Sequence, residues 1–142
     1  MPTVTASIVV HDTPVAQLAK VLGCLESDGV NHIFVIDNSD NERLRAVAES
    51  CDICTYSHVE NRGFGAGHNI GIELARHIKS DYHVVLNADV CWSKPVIAPM
   101  TEYLEAQRDT VMLGPKAYYH DGMLQYSCRM LPTPADLFCK RF

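Results

Sequence analysis

The chain reads Glu-Asn-Arg-Gly-Phe-Gly-Ala-Gly-His-Asn-Ile-Gly-Ile from Glu60 to Ile72, and this stretch holds four of its eight glycines. An apolar run from Ile53 to Val59 comes before it. After it, Ile70, Leu74 and Ile78 follow at intervals of four residues, which predicts the apolar face of a helix. The order predicted is therefore strand, glycine-rich turn and helix. Such a turn presents backbone N–H groups at a helix N-terminus, where a phosphate binds well, and glycine allows its close approach.

Two familiar phosphate-binding motifs do not fit this glycine stretch. The dinucleotide-binding fingerprint needs a third glycine at the position that His68 occupies. A P-loop needs Gly-Lys-Ser or Gly-Lys-Thr, and neither tripeptide occurs in the chain. The residues alone therefore leave two interpretations open: a phosphate-binding turn, or a glycine-rich turn that packs a helix closely onto a sheet.

Length and composition predict one globular domain that spans residues 1–142. Hydrophobic residues make up 47 % of the chain and charged residues 20 %, which is typical of soluble domains. The net charge of −5 argues against nucleic acid as a partner. No apolar run is long enough to span a membrane, and the N-terminus lacks the features of a signal peptide, so a cytoplasmic location is the expectation.

Two of the six cysteines form the pair Cys51-x-x-Cys54, and the others are scattered through apolar segments. Such a pair occurs in redox and metal sites. No second pair completes a zinc site, however, and the residues between Cys51 and Cys54 fit a strand pattern. We therefore expect the cysteines to be free thiols.

Strands and helices are expected to alternate along the chain. The residues from Val4 to Val10 predict a buried strand, and Thr13 is expected to cap a helix that begins at Pro14. Further strands are expected at residues 32–36, 53–59, 82–86 and 111–113, and a hairpin is expected over residues 116–126. This alternation predicts an α/β fold, a Rossmann-like three-layer α/β/α sandwich around a mainly parallel sheet.

Short polar segments follow two of the predicted strands. Asp37-Asn38-Ser39 follows the second strand, and Asn87-Ala88-Asp89 ends the fourth. Because open α/β sheets bind ligands at the carboxyl ends of parallel strands, we expect these segments and the glycine stretch to meet at one edge. Asp89 is a candidate ligand for Mg²⁺ or Mn²⁺, since one carboxylate plus substrate phosphates commonly holds such an ion. The alternative is that these residues only form turns and helix caps.

The order of three segments, Asp37-Asn38-Ser39, Asn61 to Gly71 and Leu86 to Val90, resembles the family 2 glycosyltransferases, with the rhamnosyltransferase-like branch most similar. The resemblance runs from about Ser7 to the C-terminus. It implies a GT-A fold that binds a nucleotide diphosphate sugar, such as a dTDP- or UDP-sugar. It also implies inverting transfer of a sugar, rhamnose in this branch, to a saccharide or lipid-linked acceptor in cell-surface polysaccharide synthesis. Such an enzyme would work in the cytoplasm, where it could associate peripherally with the inner face of the membrane.

The same resemblance assigns roles to individual residues. Asp89 matches the last acid of the metal-binding Asp-x-Asp motif, although Asn87 stands in place of the first acid. Mg²⁺ or Mn²⁺ is therefore the implied cofactor. The residues matched to nucleotide-sugar binding are Val10, His11, Asp37, Asn61, Arg62, Gly65, Asn69 and Asn87.

The general base that inverting transfer requires is not identified. In the family it is an aspartate of a later acidic motif, whereas Gln125, Arg129 and Pro132-Thr133-Pro134 resemble only the start of the acceptor-binding half. Asp121 is the remaining candidate for the base, although a hairpin turn also explains it. We therefore expect a truncated or partial transferase that transfers sugar poorly on its own and self-associates as a homo-oligomer.

Two other functions stay open at this point. A non-catalytic module would bind a nucleotide sugar and depend on a partner or a further segment for catalysis. A nucleotidyltransferase is less well supported, because the chain lacks a basic glycine-rich loop after its first strand.

Overall fold

The computed structural model describes residues 2–119 and 121–125. Strands and helices alternate in this part of the chain, and a small hairpin follows them. No described helix is long and apolar enough to cross a membrane. The strands are β1 (Val4–Val10), β2 (His32–Asp37), β3 (Cys54–His58), β4 (Tyr82–Asn87), β5 (Ala117–Tyr118) and β6 (Leu124–Gln125). The helices are α1 (Val15–Ser27), α2 (Arg45–Glu49), α3 (Phe64–His77) and α4 (Ile97–Ala106).

Four strands form one parallel sheet in the order β3-β2-β1-β4. Strand β1 lies inside the sheet, where Ile8 is beside Val35 of β2 and Leu86 of β4. The prediction of a parallel sheet is therefore confirmed. Because the four strands run in the same direction, their carboxyl ends meet at one edge, which is where a ligand site is expected.

Helices cover both faces of the sheet, which confirms the three-layer arrangement. Successive residues of β1 point to opposite faces. Ile8 and Val10 belong to the core cluster that includes the buried residues of α1. Val9 packs on the other face, together with Phe34 of β2 and Ala75 of α3. Burial on both sides explains why β1 and β2 are apolar along most of their length.

Helix α3 packs on the sheet through residues without a side chain. A Cβ atom added at Gly67 would lie 2.7 Å from Val9 Cγ2, and one added at Gly71 would lie 2.4 Å from Ser7 Cβ. Both distances are far shorter than an ordinary van der Waals contact between carbon atoms. The helix therefore approaches β1 more closely than any other residue at these two positions would allow.

The spacing of the isoleucines predicted the right element but the wrong face. Ile70 and Ile78 are 37 % and 49 % exposed, so they do not form the face that packs on the sheet. The glycines were also misplaced, because only Gly63, with a φ of 90°, lies in the turn. The buried residues of α3 are Gly67, His68, Gly71 and Ala75.

Other local predictions have mixed outcomes. Helix α1 begins at Val15, because Pro14 is extended at φ −60° and ψ 136° and is itself the N-cap, so Thr13 is not the cap. Residues 111–113 do not form a strand, and Val111 is 97 % exposed. The hairpin is confirmed, since β5 and β6 pair antiparallel around Gly122, which has a φ of 83°.

The four described cysteines are free thiols, as expected, while Cys128 and Cys139 lie outside the described residues. The thiol of Cys54 donates a hydrogen bond to Cys51 Sγ at 2.7 Å. Burial raises the pKa of both thiols, so neither is ionised near neutral pH. The pair therefore closes the turn between α2 and β3 rather than presenting a reactive thiolate.

Candidate functional site

The carboxyl ends of β1, β2 and β3 are tied together by backbone hydrogen bonds. The Asn38 N–H donates to the Val10 carbonyl at 2.9 Å, and the Val59 N–H donates to the Asp37 carbonyl at 2.9 Å. The Val10 side chain is fully buried in the core beneath α1. Of the atoms of Val10, only those of the backbone are therefore placed to contribute to the edge.

Asp37 lies beneath the loop that follows β2 rather than on its surface. The side chain is fully buried. Its Oδ1 accepts a hydrogen bond from the Ser39 N–H at 2.9 Å, and its Oδ2 accepts one from the Tyr56 hydroxyl at 2.7 Å. Burial, and then the bond to Asp37, raise the pKa of the Tyr56 phenol, which therefore remains a donor. The carboxylate thus holds the shape of the Asn38-Ser39 loop.

Two histidines hold the same loop from opposite sides. The His11 Nδ1–H donates to the Asn38 carbonyl at 3.1 Å, and the His58 Nε2–H donates to the Ser39 carbonyl at 2.7 Å. On the β1 side, the Ser39 hydroxyl oxygen accepts the backbone N–H of Asp12 at 2.9 Å. The loop is therefore fixed at several points, and a rigid loop is what a binding site needs to hold its polar groups in place.

A cavity of about 280 Å³ opens at this edge, between the ends of β2 and β3 and the first turns of α3. Asn38 lines it and is only 4 % exposed, yet its side-chain Oδ1 has no hydrogen-bond partner in the described structure. A buried acceptor without a partner is costly, so a water molecule or a ligand group that donates a hydrogen bond to it would bind favourably. The residues that line the cavity are Asn38, Val59, Glu60, Arg62, Ala66, Gly67, Asn69 and Ile70.

Helix α3 points its N-terminus at the same edge. Its N-cap, Gly63, offers no side chain to the first N–H groups, and the first helical bond runs from the Gly67 N–H to the Gly63 carbonyl at 3.2 Å. The N–H groups before Gly67, including that of Gly65, therefore have no intrahelical acceptor. They also sit at the positive end of the helix dipole. This end of α3 suits an anion.

The other predicted residues of the glycine stretch border this N-terminus. Asn61 Oδ1 accepts the Gly63 N–H at 3.0 Å and thereby shapes the turn. The Arg62 guanidinium is 77 % exposed and pairs with the Glu60 carboxylate at 2.9 Å. Such a surface pair contributes little stability, so breaking it to bind an anion would cost Arg62 little. Asn69 is exposed on α3 and lines the cavity.

Asn87 and Asp89 lie at the end of β4, on the other side of β1 from the cavity, and both are exposed. The ends of β2 and β4 are two strand spacings apart, about 10 Å. Among the described residues, no three histidine, cysteine, aspartate or glutamate side chains are grouped to hold a metal. Oxygen donors suit Mg²⁺ or Mn²⁺, so the pair fits an ion that takes its remaining ligands from phosphate and water.

Asp121 lies in the turn of the hairpin. Its Oδ1 accepts the Met123 N–H at 2.9 Å, which is the turn role that the sequence offered as the alternative to a catalytic base. Arg129 and residues 132–134, matched to the start of the acceptor half, lie outside the described residues. Of the predicted residues, Asn61, Arg62, Gly65 and Asn69 lie around the cavity and the N-terminus of α3, whereas Asn87 and Asp89 lie on the other side of β1.

Sequence reasoning missed two contributors to this edge and one residue that lies away from it. Tyr56 and His58 were treated only as strand residues, although each supports the loop after β2. Asp28, at the end of α1, lies near the amino ends of the strands, because Asn31 shortly after it pairs with Val4 at the start of β1. It accepts hydrogen bonds from Trp92 and Val96, in the segment that follows Asp89. Alternation along β3 would have placed Tyr56 and His58 on the same face as each other, but only the register with β2 shows that they meet Asp37 and Ser39.

No curated protein matches the chain at a significant level. A family model does match, and it covers residues 15–137, which is most of the chain. The described fold, with its mainly parallel sheet between helices, is the GT-A-like arrangement of that family. The matched model is that of Glycosyl transferase family 2, and the chain therefore belongs to this family of enzymes, which transfer a sugar from a nucleotide-sugar donor to an acceptor.

Proposed function

We propose that this chain binds the nucleotide diphosphate sugar of an inverting glycosyltransferase, with the base in the cavity beside Asn38 and the diphosphate near the N-terminus of α3. The observation that carries the proposal is the buried, unpartnered Oδ1 of Asn38, a residue that lines the cavity. A base that presents an N–H group would satisfy this acceptor. Uracil and thymine both present one, so UDP- and dTDP-sugars are the first donors to test.

The anionic part of the donor finds complementary groups along the same edge. The free N–H groups at the start of α3 and the exposed Arg62 would bind phosphate oxygens. Asn69, on the cavity wall, would donate its amide N–H to the ribose or to a phosphate. The acidic net charge of the chain makes such local groups necessary, since no general positive field attracts the ligand.

Members of the family commonly use a divalent metal ion. In this chain Asp89, with Asn87 beside it, would hold the ion against the diphosphate. When bound, Mg²⁺ or Mn²⁺ neutralises the charge that the leaving diphosphate gains as the sugar departs. Arg62 and the α3 N-terminus stabilise the same charge by hydrogen bonds and orient the leaving group.

The sugar and the acceptor are proposed from the rhamnosyltransferase-like resemblance alone. Rhamnose is the proposed sugar, and a saccharide or lipid-linked molecule of cell-surface polysaccharide synthesis is the proposed acceptor. Work at the cytoplasmic face of the membrane and assembly as a homo-oligomer belong to the same proposal. A second candidate, a binding module without catalysis, is favoured by Asp121, whose carboxylate is engaged in a turn.

Calorimetry with UDP and dTDP, in Mn²⁺ and in EDTA, tests the proposal. We expect Asn38→Ala to weaken nucleotide binding about tenfold, because the base loses its acceptor in a buried site. Asp89→Asn should abolish only the gain in affinity that Mn²⁺ provides. The matched control is Asn41→Ala, the same change in the same loop, where the exposed amide only accepts the Arg43 N–H.

Equal losses in the Asn38 and Asn41 variants would refute the placement of the base. A wild-type chain that binds neither nucleotide would refute the proposed function as a whole. Transfer of a radiolabelled sugar, measured on the same preparations, separates the enzyme from the binding module, because the module binds donor without releasing free nucleotide diphosphate.

A further inference from the structure

A single carboxylate oxygen at the end of α1 accepts three hydrogen bonds from the segment between β4 and α4. Asp28 Oδ2 accepts the indole N–H of Trp92 at 2.8 Å, the backbone N–H of Val96 at 2.8 Å and the backbone N–H of Ile97 at 2.9 Å. Hydrogen bonds to an ionised carboxylate are about twice as strong as neutral ones. Asp28 is therefore a strong anchor for residues that lie 64 to 69 positions later in the chain.

These bonds cap the N-terminus of α4, which its own residues do not cap. The N-cap of α4, Val96, makes no side-chain capping bond, so the first N–H groups of the helix need an acceptor from elsewhere. Asp28 provides it, and its negative charge is favourable at the positive end of the helix. The Cys24 thiol adds a donor bond to the Trp92 carbonyl at 3.4 Å.

The anchored segment is the one that carries Asp89. Ala88, just before it, is 6 % exposed and belongs to the main core cluster, and Trp92, three residues after it, is held by Asp28. Asp89 itself is exposed. The carboxylate therefore projects from a short stretch whose two ends are both fixed.

We propose that Asp28 is a positioning residue of the donor site: it holds the segment 88–96 so that the Asp89 carboxylate meets the metal and the diphosphate without prior rearrangement. The inference rests on the proposed role of Asp89 in metal-assisted donor binding. Groups that hydrogen-bond a metal ligand directly typically contribute a factor of about 10 to 100 in metal affinity, and Asp28, which acts on Asp89 through the segment that ends at Trp92, is expected at the lower end of that range.

A purely structural role for Asp28 predicts a different pattern. Loss of a structural anchor would lower the melting temperature and reduce nucleotide binding in Mn²⁺ and in EDTA alike. Loss of a positioning residue would reduce only the gain that Mn²⁺ provides, because the cavity beside Asn38 lies across β1 and does not depend on the anchored segment.

The full chain with Asp28→Ala tests the inference, and Asp109→Ala is the matched control, since Asp109 is an exposed aspartate just beyond the other end of α4. Trp92 is the only tryptophan of the chain, so its fluorescence reports directly on the segment. In Asp28→Ala we expect red-shifted emission, easier quenching by acrylamide and about a tenfold smaller Mn²⁺-dependent gain in UDP or dTDP affinity. Affinity in EDTA should stay within about twofold of the wild type.

Asp28→Asn keeps an acceptor oxygen, so its Trp92 emission and its Mn²⁺-dependent gain in affinity should lie between those of the wild type and Asp28→Ala. If the alanine variant does not fold, the asparagine variant is used for the test in its place. A Mn²⁺-dependent gain that persists while Trp92 emission shifts would overturn the positioning role. Unchanged emission would show that the anchor itself does not hold the segment. If the wild type binds nucleotide equally in Mn²⁺ and in EDTA, the metal role of Asp89 fails and this inference fails with it.

Discussion

Replacing Gly71 by alanine should destabilise the protein strongly, because α3 has no room for a methyl group at this position. The new Cβ would lie 2.4 Å from Ser7 Cβ. Ser7 is fully buried in the middle of β1, and the position of its Cβ is set by the strand backbone, so rotation of its side chain gives no relief. To reach an ordinary contact distance, α3 has to move away from the sheet by about 1 Å.

The cost follows from what this movement disturbs. Overpacking of a tight core typically costs about 1 to 3 kcal/mol. The shift also stretches the hydrogen bond between Ser7 Oγ and His68 Nδ1, which is 2.8 Å long and buried, and such a bond contributes about 1 kcal/mol. We therefore expect Gly71→Ala to lower the free energy of unfolding by about 2 to 4 kcal/mol.

Gly65→Ala is the matched control, since it makes the same change in the first turn of the same helix. An added Cβ at Gly65 would meet no atom within 4 Å. Alanine should therefore leave stability unchanged or raise it by about 0.5 kcal/mol, because it restricts the unfolded chain more than glycine does. Of the two substitutions, only Gly71→Ala is therefore expected to lower stability.

Urea unfolding followed by circular dichroism measures both changes on the same scale. Equal midpoints for wild type and Gly71→Ala would refute the close approach of α3 to β1. A loss in Gly65→Ala as large as that in Gly71→Ala would show instead that glycine is needed for backbone conformation throughout the stretch.

Two further predictions concern the polar groups on either side of the sheet. Burial, and then the nearby His68, lower the pKa of His83 to about 4, so the protein takes up about one proton on unfolding between pH 4 and 6.5, and its stability falls as the pH falls through that window. Urea midpoints measured from pH 7 to pH 5 should therefore depend less steeply on pH in His83→Gln than in the wild type. Equal pH dependence in the two proteins would contradict this prediction. Tyr56→Phe leaves Asp37 Oδ2 buried without its donor and should lower the free energy of unfolding by about 2 kcal/mol in the same urea assay. The control is Tyr103→Phe, which should change the free energy of unfolding by less than about 0.5 kcal/mol because Tyr103 is 52 % exposed. Similar losses in the two variants would contradict a structural role for the Tyr56 hydroxyl.

The sheet was predictable because the local sequence of its inner strands is that of strands buried on both faces. The residues from Val4 to Val10 are almost all apolar or small, as a strand covered on both faces must be, and the structure has β1 with the same bounds. Residues 111–113 show the limit of this reasoning. Three apolar residues have the propensity of a strand, but no neighbouring strand pairs with them among the described residues, and Val111 and Met112 stay exposed.

The site was predictable as a location but not in its detail. The order of strands and polar segments placed Asn38 and Asp89 at one edge, since parallel strands bring their carboxyl ends together. That Asn38 Oδ1 is left without a partner depends on packing from three different elements, which no local pattern records. The contact between Asp28 and Trp92 joins residues 64 positions apart, and an aspartate after a helix is explained equally well as a C-terminal turn residue.

The glycine stretch shows why the two interpretations left open by the sequence do not exclude each other. Gly67 packs against Val9 so closely that no side chain fits, and the same residue lines the cavity beside Asn38. His68 stands where the dinucleotide-binding fingerprint has its third glycine. Its ring turns inward, and its Nδ1 forms a hydrogen bond with the Ser7 hydroxyl on the sheet. If α3 carried larger residues at positions 67 and 71, it would stand further from β1, and its N-terminal N–H groups would move away from the edge that Asn38 occupies. The close packing of α3 on the sheet therefore brings its N-terminus to the proposed diphosphate. A variant that disturbs this packing, such as Gly71→Ala, should then lower stability and also weaken nucleotide binding in the fraction of the protein that remains folded.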